Sequence, residues 1–492
     1  MHARAERHTG RMGSAVEAQG RVLGRGRPHP LLVLLLAAAF AWTAGTTELG
    51  LKSIDDCRYA RKGLEMMRSG SFFDATWGGR PDFSYPPLQF WLIGRSMAVF
   101  GPNDFAARFP SLVMALGTVA VTFWIGCLTL GRRAALAGVA LLALTPMFSN
   151  HARRCMIDLP LGFWTTTACL VFLLGLRRPR LLALFAVPLG AALLTKGPLG
   201  LFALLVLPAA LASARLRPAL RSPWLWIGLA AGLLAGASWP IHEALRHGSA
   251  FMREHFGATV FWRVFGKVPL PRESPSAFRL LWTQYQPLTV LAAAGLGLLL
   301  WVRRRTRGDV SDLLVAWVVV PLVAVSLSRW RDPRYLYPIL PALALLSGHA
   351  LIRLARPLAS AVAAWLAPAL LVACGVAYWV SPGAISTAPN AQYKAFSPVA
   401  RAELPSGALV PFIGGRDGDF WEVENIGMWY WDIQPEPPCS PAAAVERARS
   451  RGHNALLVQR GRLGGLDSLG VAYEVPFEAR FSLVRLAESG SP

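Results

Sequence analysis

RRPRLLALFAVPLGAALLTKGPLGLFALLVLPAALASARLRPALR, residues 177–221, decides the fold. Two apolar runs, 180–195 and 198–214, are joined by the tight Thr195-Lys196-Gly197-Pro198 turn. Arginines bound the pair at both outer ends: Arg177, Arg178 and Arg180 before it, Arg215, Arg217 and Arg221 after it. A membrane-crossing helix takes about 20 apolar residues, with a range near 17–25. Short loops rich in Arg and Lys stay on the cytoplasmic side. The stretch therefore reads as a membrane hairpin with its turn outside.

The same grammar runs along the chain. Eleven apolar runs are candidate spans: 30–47, 105–129, 134–149, 157–176, 180–195, 198–214, 222–241, 279–301, 311–328, 335–353 and 357–380. Residues 84–100 are also largely apolar. Alternating from the basic N-terminus puts Arg132/Arg133, Arg303/Arg304/Arg305/Arg307 and Arg353/Arg356 inside with the two clusters already named. The other side receives 48–104, 150–156, 195–198, 242–278, 329–334 and everything from 381. Residues 1–29 read as a disordered cytoplasmic tail and 30–380 as the membrane domain. Residues 381–492 read as a small outer α/β domain, with strands near 408–414, 454–459 and 470–486 and a helix at 440–451.

Composition agrees. Of 492 residues, 54% are apolar and only 16% charged, whereas a soluble domain is about one quarter charged. The mean hydropathy is +0.40. A net charge of +22 would suggest nucleic acid in a soluble protein, but here the arginines sit between apolar runs and report topology. The six cysteines show no metal-binding spacing, and no His/Cys/acid set demands a metal. Cys57 and Cys155 would be able to pair if both face an oxidising compartment.

Charged residues at a membrane boundary are candidates for function. In Ser53-Ile54-Asp55-Asp56-Cys57-Arg58-Tyr59, Ser53 reads as a helix cap, and periodicity alone favours a dipole-complementing role for the two acids. A catalytic carboxylate is the sharper alternative. Arg153-Arg154-Cys155-Met156-Ile157-Asp158 puts two cations on the outer side, where they would face an anion or partner carboxylates. Lys196 in the hairpin turn and the Arg334-Tyr335 pair are suited to a phosphate, or to snorkelling and interfacial anchoring. Arg263 adds a cation in the loop 242–278. Trp429 to Trp431 read as core aromatics or a sugar-stacking surface.

In their order, these stretches resemble the GT-C fold glycosyltransferases that use polyprenyl-phosphate sugars. That superfamily contains the protein O-mannosyltransferases and the bacterial aminoarabinose lipid A transferases. The matching stretches are Asp55-Asp56-Cys57-Arg58-Tyr59-Ala60, Pro86-Pro87-Leu88, Ala106-Ala107-Arg108-Phe109-Pro110-Ser111 and Arg153 through Asp158. Thr195-Lys196-Gly197-Pro198 and Arg334-Tyr335 through Pro341 complete the set. The resemblance covers roughly 48–345 and implies an all-α polytopic protein of about 11–13 spans. It implies an inner-membrane enzyme moving a sugar from undecaprenyl phosphate to a lipid, glycan or protein acceptor on the periplasmic face.

Position by position, it implies Asp55 and Asp158 as catalytic acids, and Lys196, Arg334 and Tyr335 on the donor phosphate. Asp56, Arg58, Tyr59, Tyr85, Arg153, Arg154 and Arg263 would line the cavity. It implies no certain cofactor and no metal ligand set, although a divalent ion remains compatible. One departure stands out: the aminoarabinose transferases usually carry Lys where this chain has Tyr85, so Arg80 or an Arg of another loop would supply that charge. A transporter or flippase of lipid-linked precursors is the rival; it calls for inverted repeats and broken midplane helices, which the sequence does not show.

Overall fold

A computed structural model describes residues 29–265, 275–303, 311–361, 365–381, 390–415, 418–460, 471–477 and 481–487. The expected N-terminal tail, the Arg304–Arg307 part of one basic loop and the side chain of Arg263 lie outside the described residues.

Each of the eleven apolar runs carries helix. Among the described residues, five helical stretches are long and apolar enough to cross a membrane, or up to six if the bent pair Arg132–Leu144 and Pro146–Ala152 is one span. Pro30–Thr43, Leu288–Trp301, Asp312–Leu327 and Ala367–Val380 are shorter apolar helices. Proline explains much of the shortening: Pro146 opens a new helix 68° off its predecessor.

The Pro179–Ala212 stretch folds back on itself. Gly197 has φ +57 and ψ −131, a conformation open to glycine and strained for other residues. The chain reverses there, and Gly200 packs on the backbone of Ala192 and Leu193. Lys196, the last residue before the reversal, is thereby held at the hairpin tip.

The polar part is built around the helix Ile54–Ser69. Ser53 caps it by accepting from the Asp56 N–H, and Gly70 ends it in a left-handed turn. Arg108, from the Ala-Ala-Arg-x-Pro-Ser stretch, donates to the Leu49 and Gly50 carbonyls at 3.0 and 2.6 Å, tying down the strand of loop before this helix.

The C-terminal region forms a four-stranded sheet in the order Phe412–Ile413, Ala455–Gln459, Phe481–Leu486, Val471–Phe477. The first pairing is parallel and the others antiparallel. The aromatic stretch before residue 431 is a helix, Gly418–Tyr430, that packs on Ile54–Ser69. Trp429, Tyr430 and Trp431 share one apolar cluster with Tyr59, Leu64, Phe90 and Met97. These aromatics are core: Trp431 is 1% exposed, and the Trp429 indole donates to Asp104 at 2.9 Å. Arg61 donates to Asp432 at 2.5 Å and to the Met428 carbonyl at 2.9 Å, locking the region to the first loop.

The cysteine pairing does not form. Cys57 and Cys155 are both free and fully buried, side by side in that shared cluster. Asn390 Nδ2 instead lies 3.7 Å from the Cys57 sulfur.

Candidate active site

A helix turns about 100° per residue, so neighbouring carboxylates face different ways. Asp56 turns inward and is 0% exposed. It accepts the Cys155 N–H at 2.7 Å and the Arg154 guanidinium at 2.8 and 3.0 Å. Arg154 thus faces a partner carboxylate, and Asp56 joins two elements of the fold. Arg153 donates to the Ala41 carbonyl and, at 2.6 Å, to Ala44, while packing 3.8 Å from the Tyr378 ring. It braces the first helix and does not reach the cavity described below.

Asp55 faces the other way. Its side chain is 40% exposed and accepts Arg334 Nη1 at 2.8 Å. Arg334 is aimed by Asp332, which takes its Nε and Nη2 at 2.8 to 3.1 Å. The Asp332 carboxylate also caps the turn Pro333–Ile339 through the Arg334 N–H, so one acid fixes both backbone and side chain.

Deeper in, Asp158 at the start of Asp158–Gly175 forms an ion pair with Lys196 from the hairpin tip. Asp158 and Lys196 are 1% and 7% exposed. The Lys196 ammonium lies 5.1 Å from the centre of the Tyr335 ring. Tyr59 bridges the groups: its ring meets Tyr85 edge-on at 5.9 Å. Burial, then the neighbouring Tyr85, Asp55 and Asp158, push the Tyr59 phenol well above its ordinary range.

An apolar cavity of about 430 Å³ opens from this group of residues. Its polar end is Lys196, Tyr85 and Tyr335 with Ser84 and His255; its walls are Leu, Val, Ala and Phe side chains from three segments. Among the assigned residues, Lys196, Tyr335 and Tyr85 line it, while Asp158 and Asp55 adjoin through Lys196 and Arg334. A larger space of about 910 Å³ lies between the first loop and the C-terminal region, beside Arg68, Lys394 and Asp432. None of the assigned catalytic or phosphate-binding residues lines it.

The missing lysine beside Pro86-Pro87 has no substitute in Arg80, which is exposed on a two-residue strand and does not line the cavity. A buried cation does stand close by. Lys62 is 0% exposed, bonds Asp82 at 2.8 Å and Ser84 at 3.0 Å, and lies 4.9 Å from the Phe90 ring. Burial lowers its ammonium to about 8 against the opposing pull of Asp82. Asp82 also takes Arg58, whose guanidinium lies 5.0 Å from the Trp77 ring. Burial alone would raise the Asp82 carboxyl, but Lys62 and Arg58 hold it well below its usual range. Lys62 follows Asp55, Arg58 and Tyr59 at helical spacing on the same face, a signal present in the sequence. Glu424 is a second unforeseen residue: half-buried in Gly418–Tyr430, it is pushed up to about 7 by burial, with Arg58 and Arg80 opposing.

Comparison with known proteins follows the same lines. Residues 84–242 match the family described as dolichyl-phosphate-mannose-protein mannosyltransferase. The chain is 29% identical over 338 residues to an undecaprenyl phosphate-alpha-4-amino-4-deoxy-L-arabinose arabinosyl transferase of Pseudomonas savastanoi pv. phaseolicola, covering 65% of this chain and 61% of that one. It is 30% identical over 344 residues to the protein of that description from Pseudomonas aeruginosa, covering 66% and 60%. The chain therefore spans about three fifths of the length of these curated relatives. The crystal structure of ArnT from Cupriavidus metallidurans bound to undecaprenyl phosphate superposes with a TM-score of 0.71 at 19% identity, covering 94% of this chain and 99% of that one. The archaeal oligosaccharyltransferase AglB from Archaeoglobus fulgidus, in complex with an inhibitory peptide and a dolichol-phosphate, gives 0.54 at 13% identity, covering 94% and 75%. The chain is a helical membrane protein of the GT-C fold, similar in sequence to the glycosyltransferases of that fold that use polyprenyl-phosphate sugars.

Proposed function

We propose that this chain is an inner-membrane glycosyltransferase. It would transfer a sugar from undecaprenyl phosphate to a lipid, glycan or protein acceptor on the periplasmic face, with the C-terminal region on that side too. The observation that carries this reading is the apolar cavity ending at Lys196, Tyr85 and Tyr335 beside two carboxylates. An isoprenoid chain suits the Leu and Val walls, and its phosphate suits the cationic end.

The chemistry is a displacement at the anomeric carbon. An acceptor hydroxyl or amine forms the new bond while the bond from carbon to phosphate oxygen breaks, and the lipid phosphate departs with its electron pair. Asp55, oriented by its hydrogen bond from Arg334, takes the acceptor proton. Lys196 has three N–H donors and spends one on Asp158, leaving others for the phosphate. Arg334 and Tyr335 complete the anion site, which stabilises charge that grows as the phosphate leaves. Attack opposite the leaving group inverts the anomeric centre. The relatives' activity supports transfer from undecaprenyl phosphate, and nothing in the comparisons supports the transporter alternative. Radiolabelled polyprenyl-phosphate sugar in membranes tests the proposal: the wild-type chain should move label to an acceptor, and no transfer to lipid A, surface glycans or proteins would overturn it.

A further inference from the structure

Outside the site just described, Asp74 on the first outer loop meets the end of the helix Pro223–His247. Asp74, His242 and Glu243 bring one ligand atom each to within 4.8 Å of one another. His242 Nε2 lies 3.5 Å from Asp74 Oδ1. His247, one turn after Glu243, puts its Nε2 3.9 Å from Asp74 Oδ1 and 3.6 Å from Glu243 Oε2.

These separations are too long for good hydrogen bonds. They are somewhat wider than the edges of a zinc tetrahedron, where ligands about 2.0–2.1 Å from the ion stand about 3.3 Å apart. Modest side-chain shifts close Asp74, His242 and Glu243 on an ion and bring in His247 as the fourth ligand. Asp74 Oδ1 and His242 Nε2 are buried and have no hydrogen-bond partner among the described residues. The other Asp74 oxygen is fully engaged, accepting Ser71 Oγ and Arg246 Nη1 at 3.0 Å each. That arrangement orients a carboxylate and leaves one oxygen for a ligand, as outer partners do around metal sites. The His242 ring is held too, stacked on Phe73 at 4.8 Å, whose carbonyl accepts the Trp239 indole at 3.2 Å. Glu243 is 2% exposed and stands beside the Asp74 carboxylate, so the two acids converge on one buried spot.

We propose that Asp74, His242, Glu243 and His247 bind a divalent cation of borderline softness, zinc being the best match to two imidazoles and two carboxylates. The ion staples the first outer loop to the end of a spanning helix. The loop leads to Phe83, whose ring lies 5.0 Å from His247 and whose carbonyl is 2.8 Å from His255 Nδ1. His255 and Tyr85 both line the apolar cavity, so the ion holds the segment that shapes its polar end. The site stands apart from the glycosyl-transfer reading and survives its failure.

Metal analysis of the full chain in detergent tests this. After stripping with a chelator, the wild-type chain should take up one zinc ion when titrated with zinc alone. It should take up cobalt(II) with the intense visible bands of tetrahedral coordination. Asp74→Asn with His242→Ala should abolish uptake, and His247→Ala should weaken it about tenfold or more. Zinc should also raise the melting temperature of the stripped wild-type chain and leave the double variant unchanged. The proposal is overturned if the stripped wild-type chain takes up no zinc, or if the double variant takes up as much. If the double variant fails to fold, His247→Ala decides: undiminished affinity overturns the four-ligand site.

Discussion

Arg334 reaches Asp55 across 279 residues of sequence with a single 2.8 Å hydrogen bond. That contact joins the helix Ile54–Ser69 to the turn Pro333–Ile339, and it separates Asp55 from its neighbour Asp56. One acid is 40% exposed at the cavity side, and the other is wholly enclosed.

Replacing Asp55 by Asn should remove the proton acceptor while keeping size and the contact to Arg334. Transfer from a labelled polyprenyl donor should fall about 10²-fold or more, with the melting temperature near wild type. Wild-type rates in Asp55→Asn would remove it from the mechanism.

Asp56→Asn should do the reverse. It leaves the Arg154 guanidinium buried beside a neutral amide and weakens the bond from the Cys155 N–H. Breaking such a pair costs about 3–5 kcal/mol. A large drop in melting temperature and in folded yield is the expected result.

Lys196 and Asp158 can be split into structural and chemical parts by a double-mutant cycle. Lys196→Met alone strands a carboxylate that is 1% exposed, and should destabilise by about 3 kcal/mol. Lys196→Met with Asp158→Asn removes both charges and should recover most of that stability. It should recover no transfer activity if Lys196 holds the phosphate, and restored activity would refute that role.

Glu424 makes stability depend on pH. Its carboxyl titrates near 7 in the folded chain, against an ordinary value of 4.5. Between those values the folded state binds more protons than the unfolded one, so this group makes stability fall as pH rises from 4.5 through 7. The melting temperature of Glu424→Gln should change less between pH 5.5 and 7.5 than that of wild type. An equal change in both would show that Glu424 does not titrate there.

Amphipathic economy made the membrane domain legible. Apolar runs bounded by arginines have few alternatives to helices across a bilayer, and the Lys196-Gly197-Pro198 turn announces its own reversal. The C-terminal strands were readable for a similar local reason, since short apolar runs such as Ala455–Gln459 are bounded by turn residues. The roles of neighbouring acids were not readable, because a helix assigns Asp55 and Asp56 to opposite environments only once partners surround it. Arg153 and Arg154 diverge likewise, one onto carbonyls and ring, the other onto Asp56.

By itself, the sequence determined the helical membrane architecture, the loops where the charges collect and the ordered motifs that mark the fold. Tertiary structure alone decided which charges meet. Asp74 and His242 stand 168 positions apart, and no spacing rule joins them; packing of a loop against a helix end sets them 3.5 Å apart. Local pattern encodes what a segment does against water or lipid, while contacts between distant segments depend on the whole chain's packing.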